Sequence, residues 1–314
     1  MRTCRSLLGA IALAIALAGC GAPTRSPAPS PTRSQGFASS QPGSLGAAGL
    51  LVAANGRVQE TTDDGTLVPF DAPAERIRAA VAAGDRVLVV GVDGRTWVST
   101  GAAAAGSWAA LHASVAGPAA GPLIALSPNG TALAAARGDP QAARFDLDLI
   151  DVPGGTARRI PVARGLNGPP TWLGQTIVVV NLIPPGGSSG LAAIDVATGA
   201  ITDAVGPGID LTASADGSSV AVIDNRGGVL VGAAGQWRAG AVETLARLEV
   251  AGGAPGSVAE RVAMSSDGLR VAIVRRRADD AADVEIWLLD DRSWSRASVL
   301  ERVTRGSVSV AWTR

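Results

Sequence analysis

Very few side chains of this 314-residue sequence could act as catalytic nucleophiles or bases. The sequence contains one histidine, His112, and two cysteines, Cys4 and Cys20. A Ser-His-Asp triad would need His112 as its base, but no Gly-x-Ser-x-Gly turn accompanies it. We therefore expect His112 to lie in an outer strand or a loop. Because both cysteines lie near the amino terminus, a domain stapled by disulfides is excluded.

Metal and acid–base chemistry have equally little support. A zinc site needs several cysteine or histidine ligands. The acidic stretch with Asp279, Asp280 and Asp283 lacks the glycine and glutamate spacing of a calcium loop, and we expect a solvated hairpin, with a protruding partner-binding loop as the alternative. Asp146 and Asp148 could serve acid–base work, but they more simply mark the exposed face of a strand. The sequence predicts no enzyme and no cofactor.

The first nineteen residues have the pattern of a secretory signal peptide. Arg2 and Arg5 precede the short apolar run 7–18, and small residues follow it. The run is too short to cross a bilayer comfortably as a helix. We therefore predict that residues 1–19 are a signal and are removed.

The end of this signal, Leu17, Ala18, Gly19 and Cys20, resembles the lipobox of bacterial lipoproteins. The thiol of Cys20 would accept a diacylglycerol, and the small Ala18 and Gly19 would let the peptidase reach the bond before it. The resemblance implies a protein anchored by lipid on Cys20 at the extracytoplasmic face of the cell membrane. An ordinary signal with an incidental cysteine is the alternative.

Residues 20–45 connect the predicted anchor to the rest of the chain. Five prolines and many serines and glycines follow Cys20. Such a segment cannot bury a core, so we predict an extended, disordered tether. The formal net charge of the chain is zero, which argues against a nucleic-acid partner.

The remaining sequence, 46–314, repeats a hairpin signal. Ser, a variable residue, Asp or Asn, and Gly precede an apolar strand at Gly130, Gly217 and Gly268, and degenerate copies stand at Gly84 and Gly174. The Asp or Asn side chain bonds its own backbone and Gly supplies a positive φ, so each copy predicts a tight turn. The intervals of 46, 44, 43 and 51 residues are typical of four-stranded propeller blades.

The two ends of this domain together complete one blade. Residues 307–314 have the pattern of an inner strand without a partner, and 47–70 that of three strands lacking an inner one. We therefore predict an all-β fold, a six-bladed β-propeller of four-stranded antiparallel blades whose first blade is closed by strands from both termini. Seven blades are the alternative count, and a solenoid or β-sandwich is the rival architecture.

The predicted blade limits are 305–314 with 46–74, then 75–117, 118–165, 166–205, 206–250 and 251–304. Residues 72–84 form the best helical candidate, but their alanine-rich part 76–84 is predicted to be an inner strand despite its helix propensity.

This repeat resembles TolB-like and tryptophan–aspartate-repeat-like propellers. Together, the lipobox, the tether and the propeller resemble actinobacterial LpqB-type lipoproteins, and 261–289 is similar to their propeller segments. Those lipoproteins usually carry a GerMN domain before the propeller, where this sequence has only the tether. The resemblance implies an association with the extracytoplasmic part of a two-component sensor kinase.

The seven tryptophans are predicted to be structural rather than a carbohydrate-binding platform. Four lie in or beside predicted strands and are expected to pack between blades: Trp97, Trp172, Trp287 and Trp312. Three are expected to begin outer-strand regions: Trp108, Trp237 and Trp294.

Two functions are compatible with these features. The first is a lipid-anchored module or scaffold that binds another protein of the cell envelope. The alternative is a cell-wall carbohydrate-binding protein, or a hydrolase or lyase, with its site at the central channel. That alternative requires several carboxylates or histidines to converge at one mouth of the channel.

Overall fold

Short runs of Val, Ile, Leu and Ala between glycine-containing turns form antiparallel strands. The computed structural model describes residues 48–99, 107–111, 123–139, 144–152, 154–183, 190–248 and 257–313. All of them belong to one compact unit. The described residues are almost entirely β.

Consecutive strands of the described residues group into sets of four. The first three strands are β1 (Leu50–Ala54), β2 (Arg57–Thr61) and β3 (Leu67–Pro69). The next set is β4 (Ile77–Ala83), β5 (Arg86–Gly91), β6 (Thr96–Ser99) and β7 (Trp108–Leu111). It is followed by β8 (Ile124–Leu126), β9 (Ala132–Asp139), β10 (Arg144–Asp151) and β11 (Ala157–Leu166). Then come β12 (Thr171–Leu173), β13 (Ile177–Ile183), β14 (Gly190–Asp195) and β15 (Ile201–Gly206). The fifth set is β16 (Asp210–Ala213), β17 (Ser219–Ile223), β18 (Val229–Ala233) and β19 (Ala246–Leu248). The sixth is β20 (Val258–Met264), β21 (Arg270–Arg276), β22 (Ala282–Asp290) and β23 (Ser293–Thr304), and the last strand is β24 (Ser309–Trp312).

One short helix interrupts the fifth set. Helix α1 (Ala234–Arg238) and a 3-10 turn (Val242–Thr244) connect β18 to β19. Trp237 lies in α1, is fully buried, and donates its Nε1–H to the Pro207 carbonyl at 2.8 Å. The prediction that Trp237 begins an outer-strand region was therefore wrong. Its indole packs so closely on Gly206 that no side chain fits there.

The last strand of the sequence pairs with the first. β24 runs antiparallel to β1 with Leu50 opposite Trp312 and Val52 opposite Val310. The resulting sheet has the order β24-β1-β2-β3. The predicted closure by strands from both ends of the domain is thus confirmed.

The first strand of each set, which we call an inner strand, contacts the inner strand of the next set. The order of contacts is β4, β8, β12, β16, β20, β24 and back to β4. Within the described residues the inner strands therefore form a closed ring. Such a ring leaves no inner sheet edge free to pair with another chain.

Separate hydrophobic clusters fill the spaces between neighbouring sets. Leu88 packs with Leu133 between the second and third sets, and Ile223 packs with Ile273 between the fifth and sixth. All four side chains are fully buried. Burial of each such side chain stabilises the fold by about 1.5 to 3 kcal/mol. The core is therefore divided among the sheet interfaces.

The three complete repeat turns have the same geometry. At Ser214 the hydroxyl donates to Asp216 Oδ1 at 2.7 Å and accepts from the Ser219 N–H at 3.0 Å. Asp216 Oδ1 also accepts the Ser218 N–H at 2.9 Å, and Gly217 follows with φ at 70°. The same contacts occur in the turns that end at Gly130 and Gly268. The repeated sequence pattern therefore forms the same turn at three places in the chain.

The strand assignments made from the sequence agree with these bounds. The alanine-rich run is strand β4, as predicted, and the strands keep to the predicted blade limits except that β11 and β15 each end one residue later. The expected exposure of Asp148 was wrong. Its carboxylate is buried and lies 2.9 Å from Arg159 Nε and 3.4 Å from Arg137 Nε.

Substitution of Gly217 by alanine tests the turn geometry. A Cβ at Gly217 would lie 2.8 Å from the backbone nitrogen of Gly174, and its φ of 70° disfavours any side chain. We expect Gly217→Ala to lower the free energy of unfolding by about 1 to 3 kcal/mol in urea denaturation. The control is Gly235→Ala in α1, where a Cβ has no neighbour within 4 Å. Equal stability of the two variants would contradict this assignment.

Candidate functional site: the central channel

The inner strands enclose a central channel with a cavity of about 320 Å³. Much of its wall is alanine, including Ala79, Ala125, Ala213, Ala263 and Ala311. Small side chains on the inner strands leave this space open. A cavity of this size can hold a small molecule.

The polar side chains in the middle of the wall are engaged in joining neighbouring inner strands. Ser309 Oγ donates to the Ala80 carbonyl at 2.8 Å, which joins β24 to β4. Thr171 Oγ1 donates to the Leu211 carbonyl at 2.5 Å, and Thr212 Oγ1 accepts the Met264 N–H at 3.2 Å. These hydroxyl groups therefore stabilise the ring.

Two tryptophans of the wall act in the same way. Trp172 Nε1 donates to the Ala125 carbonyl at 3.0 Å, and Trp312 Nε1 donates to the Ala263 carbonyl at 3.1 Å. Both rings are buried between sets, as the sequence predicted. The Arg270 guanidinium lies 4.9 Å from the Trp312 ring centroid, a cation–π contact that fixes the end of β24.

The two ends of the channel differ in charge. We call the end formed by the turns after the inner strands the turn mouth; there Gly84, Pro128 and Ser266 line the cavity. We call the end where the inner strands begin the start mouth; there charged residues line it. Among the described residues, the charged side chains that line the channel therefore lie at the start mouth.

Asp210 is the buried carboxyl of the start mouth. It is the first residue of β16 and only 7% exposed. Asn181 holds this strand in place, because its Nδ2 donates to the Ile209 carbonyl at 2.5 Å. Burial raises the pKa of Asp210 to about 6, although the charge of Arg261 and the N–H groups of Leu211 and Val262 act in the opposite direction.

Two half-buried arginines share this mouth, Arg78 on β4 and Arg261 on β20. Arg261 Nη1 donates to the Glu260 carbonyl at 3.0 Å. A methyl group on Gly168, in the loop before β12, would lie 3.9 Å from the same Nη1, so the side chain extends toward that loop. The Glu260 carboxylate is held by Arg276 at 2.7 Å. No carboxylate of the described residues forms an ion pair with Arg78 or Arg261.

Sequence reasoning did not single out Asp210, Arg78 or Arg261. A signal existed, because Asp210 and Arg261 each stand four residues before the Ser of a repeat turn, where the copy at Ser127 has Leu123. A charge at an inner-strand position that is apolar in another copy indicates a polar site in the channel.

Several predicted residues lie outside the described part of the chain. They are the signal and lipobox residues, including Leu17, Ala18, Gly19 and Cys20, together with the tether and His112. The structure therefore bears on neither the anchor nor the histidine.

The acidic stretch near the β21–β22 turn is engaged in ion pairs. Arg277 lies 2.5 Å from buried Asp283, and Arg302 lies 3.0 Å from Asp279. No group of three or more His, Cys, Asp or Glu side chains among the described residues is placed to hold a metal ion. Over the same residues, no helix is long and apolar enough to span a membrane.

Comparison with solved structures identifies the architecture. TolB from Acinetobacter baumannii has a TM-score of 0.57 at 15% identity, and the match covers 84% of this chain but only 66% of that one. A protein of the Nidogen/Laminin complex has a TM-score of 0.56 at 14% identity and 85% coverage of this chain, with 99% of that chain matched. The fold is a β-propeller. A TolB-type protein from Agrobacterium tumefaciens, with a TM-score of 0.51 at 16% identity, covers 82% of this chain and is itself 91% covered. No family model and no curated protein sequence matches the chain.

Each set of four strands is therefore a propeller blade, and the channel is the propeller axis. The six groups are drawn from the described residues alone, and the third and fourth form one continuous sheet because β11 also pairs with β13. The number of blades, six with seven as the alternative, stays a prediction. At such low identities the likeness concerns the fold and not the activity.

Substitution of Asp210 tests the burial of its carboxyl. Between about pH 4 and 6 the folded propeller keeps a proton on Asp210 that the unfolded chain, with a pKa near 3.8, has released. Stability therefore rises as the pH falls through this window, and ionised Asp210 costs about 3 kcal/mol at neutral pH. We expect Asp210→Asn to be more stable than wild type in urea at pH 7.5, with the difference lost at pH 4.

The matched control is Asp85→Asn, since Asp85 is exposed in the turn between β4 and β5. Its stability should follow that of wild type at both pH values. A pH-independent effect of Asp210→Asn would contradict the proposed burial of a titrating carboxyl.

Proposed function

We propose that the protein is a lipid-anchored, extracytoplasmic β-propeller that binds another protein of the cell envelope. The observation that carries the proposal is the closed ring of inner strands, which hydroxyl and indole side chains join to one another. Such a ring presents broad faces of fixed shape, which lowers the entropy cost of docking a partner.

Anchoring by lipid on Cys20 accounts for the amino-terminal sequence. The lipobox residues Leu17 to Cys20 place the cleavage and acylation site directly before the Pro-rich tether. About 25 residues in an extended polyproline-like form would reach about 75 Å. The tether would thus hold the propeller clear of the membrane surface and let either face meet a partner.

The resemblance to LpqB-type lipoproteins suggests one class of partner, the extracytoplasmic part of a two-component sensor kinase. We propose that the propeller itself makes this contact, because the tether occupies the place where those lipoproteins carry a GerMN domain. The proposal assigns no catalytic activity to the chain.

The side chains of the channel support a binding role rather than cleavage of a glycosidic bond. A hydrolase or lyase needs two carboxyl groups free to transfer protons beside the sugar bond. Of the two carboxyls at the start mouth, Glu260 is paired with Arg276, and Asp210 is buried against β20. This supports the binding module rather than the alternative of a cell-wall hydrolase.

Capture of the protein from crosslinked membranes tests the proposed function. We expect one envelope protein to co-purify specifically with wild type. A propeller displaced from the membrane by Cys20→Ser should recover much less of that partner, because the tether no longer concentrates the two proteins on one surface. Failure to recover any specific partner, with or without crosslinking, would overturn the binding role.

Partitioning into a detergent phase tests the anchor separately. We expect Cys20→Ser to move the protein out of the detergent phase or leave it unprocessed, since no thiol remains to accept the lipid. Cys4→Ser is the matched control and should partition as wild type does. If Cys20→Ser partitions like wild type, lipidation at Cys20 is ruled out.

A further inference from the structure

The start mouth of the channel contains two arginines that the proposed protein-binding role does not use. Both Arg78 and Arg261 are half-buried and line the cavity, yet neither has an ion-pair partner among the described residues. Partial removal of a guanidinium from water is unfavourable unless something compensates its charge. The mouth therefore has room and unused donors for an anion.

The charged groups next to the two arginines also favour an anion at this mouth. Glu260 is neutralised by Arg276, so it does not cancel the charge of Arg261. Asp210 interacts electrostatically with Arg261 without forming an ion pair. Both guanidinium groups therefore retain N–H donors for a ligand.

The side chains of the cavity wall beyond this mouth limit which ligands can bind there. Its wall includes alanine methyl groups, Val81 and Val310, and the hydroxyls of Ser309, Thr171 and Thr212 within it are bonded to neighbouring strands. An apolar chain can pack there, whereas a sugar would leave its hydroxyl groups unpaired. The volume of about 320 Å³ suits a small molecule.

We propose that the start mouth binds a small amphiphilic acid, with its oxyanion at the mouth that Arg78 and Arg261 line and its apolar chain along the alanine-containing wall. Guanidinium groups bind carboxylate and phosphate in the same forked geometry, so either head group could fill the site. The site is independent of the anchor and of any envelope partner.

Isothermal titration of the full chain with hexanoate and with hexyl phosphate tests the proposal, with hexanol as the neutral probe. We expect both anions, or one of them, to bind, and hexanol to bind at least about 10-fold more weakly because it lacks a charge-assisted hydrogen bond. Binding of only one anion would identify the head group as carboxylate or phosphate. Equal binding of hexanol, or no binding of either anion, would overturn the proposal.

Variants of the two arginines locate the site. Arg78→Gln and Arg261→Gln should each weaken binding of the anion by about 10-fold, and Arg261→Lys, which keeps the charge but not the fork, should lose less. Arg57→Gln on β2 is the matched control, because Arg57 does not line the channel. Unchanged affinity in the folded double variant would place any binding elsewhere and contradict the assignment.

The Asp210→Asn variant should change the affinity for the anion in the direction opposite to that of the arginine variants. Removal of the negative charge beside Arg261 should tighten binding of the anion at pH 7.5 while hexanol is unaffected. A loss of function through misfolding cannot produce a gain in affinity. Weaker anion binding in this variant would contradict the proposed position of the oxyanion.

Discussion

The pairing of β24 with β1 is the constraint on which the rest of the structure depends. It joins residues about 260 positions apart in sequence, so the propeller closes only when nearly the whole domain is in place. Such a contact carries a large loop-closure entropy, which the burial of Leu50, Leu51 and Trp312 must offset. Ser309 and Trp312 then connect the closing strand to both of its neighbours in the ring.

Closure also forms the channel, which has one charged mouth. The hydroxyls and indoles of the wall are used to hold the ring, and the alanines keep it open. The charged side chains that line the channel lie where the inner strands begin. A rigid ring with one charged mouth separates the two proposed roles, since a partner protein can dock on a face while a small anion occupies the channel.

Sequence reasoning predicted the repeating architecture because its signals are local. The Ser-x-Asp-Gly turn depends on hydrogen bonds within six residues. The number of residues between two copies corresponds to the four strands of one blade. The strand character of the alanine-rich run 77–83 followed from this spacing, although alanine alone favours a helix. Closure by both ends followed from an unpaired strand pattern at each end.

The missed features all depend on contacts between distant segments. Asp148 is buried because Arg159 and Arg137, on the two adjacent strands, neutralise it, and only the register brings them together. Trp237 lies in a helix because its indole fills the space above Gly206. The mouth of Asp210 and Arg261 arises where two blades meet, which no single repeat reveals.

Native-state hydrogen exchange measures the central claim most directly. If closure by β24 holds the ring together, the backbone amides of β24 and β1 will exchange only through global unfolding, with the same free energy as those of β17 in the interior of its blade. Exchange of the β24 amides at a clearly lower free energy, while β17 stays protected, would show that the ring opens at this strand and persists without it.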